Sequence, residues 1–221
     1  SVSLTTYNKA LGDEERDNFK IPPILDKLIE SNRIGQKTKA GFYQKNEDQT
    51  IHSVDLNTGE YSPMKKVRFD CLRVAKDSQK LERKILALCN GDDRGSKYFW
   101  EVTSRTLIYT ANRIPEISDD IINVDNAMRW GFGWDAGPFE FWDMLGVETS
   151  ISRMVVEGKK VPQWVTKMIG MGRKSFYEIH DGQKSYWCAV DNQPKMIYKN
   201  PKIFNLFVHK SSGHVVKKDL S

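Results

Sequence analysis

Lys20-Ile21-Pro22-Pro23-Ile24-Leu25-Asp26-Lys27-Leu28-Ile29 returns, at a constant spacing of 140 residues, as Lys160-Val161-Pro162-Gln163-Trp164-Val165-Thr166-Lys167-Met168-Ile169. The leading Lys, the β-branched residue, the Pro and the second Lys recur in place. Each block runs into a glycine-lysine turn that ends on an aromatic pair. The first reads Gly35-Gln36-Lys37-Thr38-Lys39-Ala40-Gly41-Phe42-Tyr43 and the second Gly172-Arg173-Lys174-Ser175-Phe176-Tyr177. A prolyl residue has no N–H to lose at a helix start, so Pro22 or Pro23 and Pro162 each open a helix. Ile24, Leu25, Leu28 and Ile29 make the apolar stripe of the first, and Trp164, Val165, Met168 and Ile169 that of the second. The aromatic pair then leads each copy into a β-hairpin. The first runs from Tyr43 to Pro63 around Asn57-Thr58-Gly59, and the second turns at Asp181-Gly182.

Between the two copies lies a long helical pattern. Asp77 or Ser78 can cap a helix whose inner face is Leu81, Ile85, Leu88 and Cys89, with Gly91 as its stop. A loop over 90–95 leads to a helix from about Lys97 to Asn112. Phe99, Val102, Thr106, Tyr109 and Arg113 lie along one side of it, and Pro115 ends it. Ser118 can cap a short helix through Ile121 and Ile122, and Val124 to Trp130 makes another. Pro138 opens a helix that Gly146 closes, and Thr149 or Ser150 caps the next. Before Lys20 there is only one short helical segment, with Leu4, Tyr7 and Leu11 on a face and Gly12 at its end. The chain therefore starts part-way through a repeat, and it starts at Ser1 without a Met. Both facts read as a fragment whose missing N-terminal part holds the chemistry.

Composition narrows the class. Hydrophobic residues are 39% and aromatic residues 11% of the 221, enough for a packed core and too many for a disordered chain. No stretch is long and apolar enough for a membrane span. The three cysteines, Cys71, Cys89 and Cys188, are odd in number and far apart, which fits reduced cytosolic thiols rather than a disulfide frame or zinc site. The net charge of +5 is interspersed with acidic residues, a solvated surface with mild preference for anions.

No catalytic constellation emerges from the residues. Gly131-Phe132-Gly133 follows a helical pattern and lacks the third glycine, so it fails as a dinucleotide fingerprint. His52, His180, His209 and His214 offer no helical pair of metal ligands. Asp119, Asp120 and Asp135 sit at helix starts and read as caps rather than acids or bases. Trp130, Trp134 and Trp142 read as core, with an apolar ligand groove as the alternative. Lys37 and Lys39 beside Gly35 read as a solvated turn, with a phosphate contact as theirs.

Two strings resemble a known family. Asn32-Arg33-Ile34-Gly35-Gln36-Lys37-Thr38-Lys39-Ala40-Gly41-Phe42-Tyr43 is one. The other runs from Ile122-Asn123-Val124-Asp125-Asn126-Ala127-Met128 through Gly137-Pro138-Phe139-Glu140-Phe141-Trp142-Asp143-Met144-Leu145-Gly146. Both resemble the C-terminal helical domain of 3-hydroxyacyl-CoA dehydrogenases, and the likeness covers most of residues 20–191; the tandem arrangement resembles the multifunctional members, which carry two such repeats and an attached enoyl-CoA hydratase domain. It implies a mainly α chain: a duplicated helical domain of the 3-hydroxyacyl-CoA dehydrogenase C-terminal (6-phosphogluconate dehydrogenase C-terminal-like) type, with β-hairpin appendages and no Rossmann domain. Residues 1–66 would be the end of a first helical repeat plus hairpin, 67–191 a second repeat plus hairpin, and 192–221 a linker toward a following domain, or a strand in want of a partner.

The resemblance further implies NAD-dependent oxidation of a 3-hydroxyacyl-CoA as part of fatty-acid β-oxidation, with NAD held by a domain absent from this chain; the reduced thiols point to the cytoplasm. The family works with a His–Glu pair, a Ser and an Asn; all four would lie before Ser1. In the second repeat Ser96 falls at the Asn position and Lys97 where an Arg is expected, while Asn112-Arg113 falls at the wrong end of its helix. No catalytic, cofactor-binding or metal residue is therefore assigned. The second repeat would pack on the first, mimic the partner subunit of dimeric members and shape the acyl-CoA cleft. The alternative is a non-catalytic acyl-CoA-binding or dimerisation module. A nucleic-acid role rests on the charge alone and lacks a motif.

Overall fold

In the computed structural model Pro23 opens a helix that runs to Glu30, and the second block gives a helix over Gln163–Gly170 with Pro162 as its N-cap. The two helices end in the same way. Asn32 and Gly172 adopt left-handed backbone, with φ of 55° and 87°. The Asn32 N–H returns to Ile29 O (3.0 Å) and the Arg33 N–H to Leu28 O (2.7 Å). Gly172 to Ile169 (2.9 Å) and Arg173 to Met168 (3.3 Å) repeat the pair. This paired closure satisfies two carbonyls that a helix end leaves without partners.

The structure describes residues 2–180 and 182–197, with side chains from Leu4 on. About half of the chain is helical, with two small antiparallel sheets. It divides into two compact units between Arg68 and Phe69. The first unit holds α1 (Val2–Lys9), a 3₁₀ turn at Arg16–Phe19, α2 (Pro23–Glu30), a second 3₁₀ turn at Gln36–Thr38, and strands β1 (Tyr43–Lys45), β2 (Ile51–Val54) and β3 (Tyr61–Pro63). Its small core is Ile24, Leu28 and Val54, with Tyr61 against it. The Tyr61 hydroxyl donates to Gly41 O (2.5 Å).

The second unit holds α3 (Asp70–Asp77), α4 (Leu81–Asn90), α5 (Arg94–Asn112), α6 (Ile121–Phe132), α7 (Pro138–Leu145), α8 (Val147–Val156) and α9 (Gln163–Gly170). Strands β4 (Tyr177–His180), β5 (Gln183–Cys188) and β6 (Gln193–Met196) follow. Trp142, Phe139, Phe176, Met154, Met168 and Val165 are fully buried at its centre.

Each aromatic pair enters a three-stranded meander rather than a single hairpin, and the registers match. Tyr43 faces Ser53 and Val54 faces Tyr61; Tyr177 faces Tyr186 and Trp187 faces Pro194. Phe42 O accepts from the Val54 N–H (3.0 Å) as Phe176 O does from Trp187 (2.9 Å). The third strands carry Pro63 and Pro194, which an edge position tolerates because only one side needs a donor. Of the stretch read as a linker, Gln193–Met196 is thus a strand paired to β5, and 198–221 lies outside the described residues.

Several local readings are corrected. Asp77 and Ser78 end α3 instead of capping α4, which starts behind Lys80 without a side-chain cap. Helix α5 starts at Arg94 because Asp93 caps it: its carboxylate accepts from the N–H of Ser96 (2.8 Å) and also from that of Cys71 in α3 (2.9 Å). Those bonds hold the Asp93 carboxyl down at about 2. The buried side of α5 is Ser96, Trp100, Ser104, Leu107 and Ala111, whereas Val102 is exposed. Ser96, Ser104 and Ala111 carry little hydrophobic signal, so only Trp100 and Leu107 mark that side in the sequence. Residues 121–132 form one helix capped by Asp120, whose Oδ1 accepts from the Asn123 N–H (2.7 Å). Helix α8 starts at Val147 behind Gly146, so Thr149 and Ser150 lie inside its first turn.

Candidate functional site

Two carboxylates sit inside the second unit, where an apolar sequence pattern places them. Asp125 is 2% exposed on α6 and faces the start of α7. It accepts from the N–H of Phe139 (2.8 Å), the N–H of Glu140 (3.2 Å) and the Tyr177 hydroxyl (2.8 Å). It supplies from a neighbouring helix the cap that Gly137 cannot give. The Gly137 N–H itself donates to Glu140 Oε2 (3.1 Å). At the other end of α7, Asp143 accepts from the N–H of Phe176 (2.6 Å) and of Tyr177 (2.9 Å). The aromatic pair is thus tied to α7 through its own backbone while the Phe176 ring enters the core.

Cations surround the pair. Arg173 is buried; it donates to Ser175 O (3.0 Å), Phe176 O (3.3 Å) and Ser185 Oγ (3.1 Å) and lies 3.5 Å from Glu178. Arg129 donates to both Glu140 oxygens (3.1 and 3.2 Å) and to Asn126 (3.0 Å). Lys184 lies 4.3 Å above the Tyr177 ring. Burial nevertheless dominates the titration, because a low-polarity interior penalises the charged form. It raises Asp125 to about 6 and Asp143 to about 7, against the pull of the N–H donors. Burial and then the Asp125 charge push the Tyr177 phenol upward.

A carboxyl whose folded pKa is raised contributes stability below its unfolded value, which is lost as pH rises through the folded one. The unfolded carboxyls titrate near 3.8. The contribution of these two is therefore full below that and declines up to about 7. The second unit is expected to melt at a lower temperature at pH 8 than at pH 5, read by Trp fluorescence; D143N is expected to flatten that slope. A melting temperature that rises over this interval would remove the assignment. Chemically the cluster is a clamp, since Asp125 is closed to solvent and its bonds go to backbone N–H groups and a hydroxyl.

The other sequence candidates do not assemble. Gly131 and Gly133 end α6, and a Cβ at either would meet nothing within 4 Å. No strand leads into them, so they form no phosphate cradle, and among the described residues the strand–turn–helix that would hold NAD is not found. His52 is half-buried in β2; His180 is exposed, 3.0 Å from Glu178. His209 and His214 lie outside the described residues. Asp119 and Asp135 are exposed. The three tryptophans do not share one environment: Trp142 is core, its Nε1–H donating to Ser150 Oγ (2.7 Å), whereas Trp130 is 77% and Trp134 41% exposed. Reading all three as core is therefore corrected.

Ser96 is wholly buried at the start of α5, and its Oγ has no hydrogen-bond partner among the described residues. A Cβ on Gly91 would come within 2.3 Å of that Oγ. Lys97 is exposed. Asn112 is exposed at the far end of the helix, and Arg113 pairs with Glu116 (2.8 Å). Lys37 and Lys39 are exposed, and Lys39 lines a cleft of about 650 Å³ in the first unit with Gly35, Phe42, Tyr43, Lys45 and Ile51. No group of metal-ligating side chains occurs among the described residues. No helix described is long and apolar enough to cross a membrane.

A protein of Bacillus subtilis described as a probable 3-hydroxyacyl-CoA dehydrogenase is 35% identical over 218 residues, 99% of this chain. The chain is a homologue of the 3-hydroxyacyl-CoA dehydrogenases. It spans only part of them: 27% of the Bacillus protein. A protein of Rickettsia felis described as a fatty acid oxidation complex trifunctional enzyme is 31% identical over 121 residues, 53% of this chain and 15% of its own length. Its counterpart in Rickettsia prowazekii is 28% identical over 120 residues. No family model and no solved structure matches the chain. In the motif likeness Asp125 and Asp143 are only letters; the sequence signal for their work is a lone Asp inside each of two largely apolar helical runs, Ile121–Trp130 and Phe139–Leu145.

Proposed function

We propose that this chain is a C-terminal helical portion of an NAD-dependent 3-hydroxyacyl-CoA dehydrogenase of cytoplasmic fatty-acid oxidation. There it acts as scaffold, pseudo-dimer partner and one wall of the acyl-CoA cleft, without catalysis of its own. The likeness to the Bacillus dehydrogenase along 99% of the chain carries this reading. The two matching helix–turn–sheet blocks support a duplicated helical domain of that family's type. Residues 1–66 would be the end of one repeat, 67–191 the other, and 192–221 the connection onward. The clamp character of Asp125 and Asp143, and the burial of Ser96, fit a repeat kept for structure. The alternative, a non-catalytic acyl-CoA-binding or dimerisation module, rests on the basic turns and on the tryptophans, of which Trp142 is core while Trp130 and Trp134 are exposed.

The test compares the protein of the full coding frame with the 221-residue chain. NADH formation from 3-hydroxyacyl-CoA is expected from the former, and neither turnover nor NAD binding from the latter. Turnover by the chain alone, or none by the full-length protein, would overturn the reading.

A further inference from the structure

The second unit shows what the aromatic pair does when its seat is present. Phe176 is wholly buried against Phe139, Trp142 and Trp164, with ring centroids 5.0, 5.2 and 5.7 Å away. Its N–H and that of Tyr177 both end on Asp143. The first unit builds the same device as far as the pair itself: Schellman-closed helix, arginine, glycine turn and meander. Arg33 even occupies the place of Arg173, donating to Gly59 O (3.0 Å) and lying 5.1 Å over the Tyr61 ring. But Phe42 is 43% and Tyr43 63% exposed. Among the described residues of this unit no side chain accepts from the N–H of either residue. The apolar cleft of about 650 Å³ opens beside them, with Lys39 and Lys45 among its lining residues.

We propose that the Phe42–Tyr43 turn docks on a helical bundle of the same polypeptide outside these 221 residues. Its occupant is the C-terminal turn of a helix of the α7 kind, opened by Gly-Pro and carrying an aspartate that accepts from both the Phe42 and Tyr43 N–H groups. Three observations commit the surface to that partner. The second unit provides the template for the contact. The charges are complementary, since the seat in the second unit is acidic (Asp125, Glu140, Asp143) and the rim here is basic. The Bacillus relative has ample further chain, 27% of it being matched here. A second copy of this chain cannot offer the seat without expelling its own Phe176 and Tyr177, whose bonds already fill Asp143. This inference rests on the reading of the chain as part of a longer dehydrogenase.

Amide hydrogen exchange separates the two claims. In the 221-residue chain the Phe176 and Tyr177 amides are expected to be protected and those of Phe42 and Tyr43 to exchange freely. In the protein of the full coding frame the latter pair is expected to slow on the order of a hundredfold, as burial of a hydrogen-bonded amide does. There F42A should release the Tyr43 amide while leaving Tyr177 protected. Unchanged rapid exchange in the full-length protein would overturn the docking even if that protein oxidises 3-hydroxyacyl-CoA. Protection without oxidation would leave the docking standing and remove the enzyme assignment. Protection that instead arises in the 221-residue chain as it dimerises, seen by sedimentation, would transfer the surface to a second copy and overturn the proposal as stated.

Discussion

Gly137→Ala is expected to prevent the second unit from folding, or to destabilise it by more than about 4 kcal/mol, at the extreme of what one substitution does. The backbone there is unstrained for any residue, with φ of −73°; the obstacle is space. A Cβ at Gly137 would lie 2.2 Å from the Asp125 Cβ and 2.4 Å from its Cα. Backbone atoms cannot swing aside as a side-chain tip can, so α6 would have to lift from the start of α7. Lifting it breaks the bonds from the Phe139 and Glu140 N–H groups and from the Tyr177 hydroxyl to Asp125. Three donors and a buried carboxylate would lose their partners together, each at a cost of about 1–3 kcal/mol.

Gly131→Ala is the control. Its Cβ would meet nothing within 4 Å inside α6. Alanine there is expected to be neutral or to stabilise by up to about 1 kcal/mol, because glycine is the more flexible residue in the unfolded chain. All six tryptophans lie beyond Arg68, so Trp fluorescence in a denaturant titration reads the second unit for both variants. A Gly137→Ala transition within about 1 kcal/mol of the wild type, close to the uncertainty of extrapolated titrations, would mean that α6 and α7 adjust freely.

What the sequence disclosed follows from which forces leave a periodic trace. Helices α2 and α9 were legible because a prolyl start, an i, i+3, i+4 stripe and a following glycine or turn act together within one short segment. Helix α3 was not: it buries only Cys71 and Ala75, and small residues leave little contrast against a charged background. The third strand of the second meander was hidden by its chemistry: Gln193-Pro194-Lys195-Met196 is polar and proline-bearing, and it is a strand only because β5 offers it a free edge. In the first meander the turn at Asn57-Thr58-Gly59, which joins β2 to β3, was legible, and the earlier turn between β1 and β2 was not. Asp93 as the cap of two helices, and Asp125 as the cap of a third from a distance, depend on pairing residues far apart in sequence. Local periodicity cannot show such a pairing. The duplication was visible as letters, but its asymmetry was not. Nothing in the strings Gly41-Phe42-Tyr43 and Ser175-Phe176-Tyr177 says that one phenylalanine is buried and the other is not.

That asymmetry gives the second large expectation. Phe176→Ala is expected to cost about 3–5 kcal/mol, the range for removing a fully buried aromatic ring and leaving its cavity. Three elements line the space: α7 with Phe139 and Trp142, α9 with Trp164, and the chain entering β4. Trp142 is held by its bond to Ser150 Oγ, and Trp164 by its own to Ala111 O (3.1 Å). With both indoles fixed, the walls are poorly free to collapse, which places the cost toward the upper end. Phe42→Ala, at the matching position of the first unit, is expected to cost less than about 1 kcal/mol in the 221-residue chain, as an exposed substitution does. It should leave the Trp-monitored transition in place. The same residue in the same turn thus differs several-fold in effect because one copy has Asp143 and the α7–α9 aromatics to receive it. If Phe176→Ala were as mild as Phe42→Ala, the ring would contribute no more inside the core than at the surface. The clamp of Asp143 on the two backbone N–H groups would then have to hold the sheet on its own.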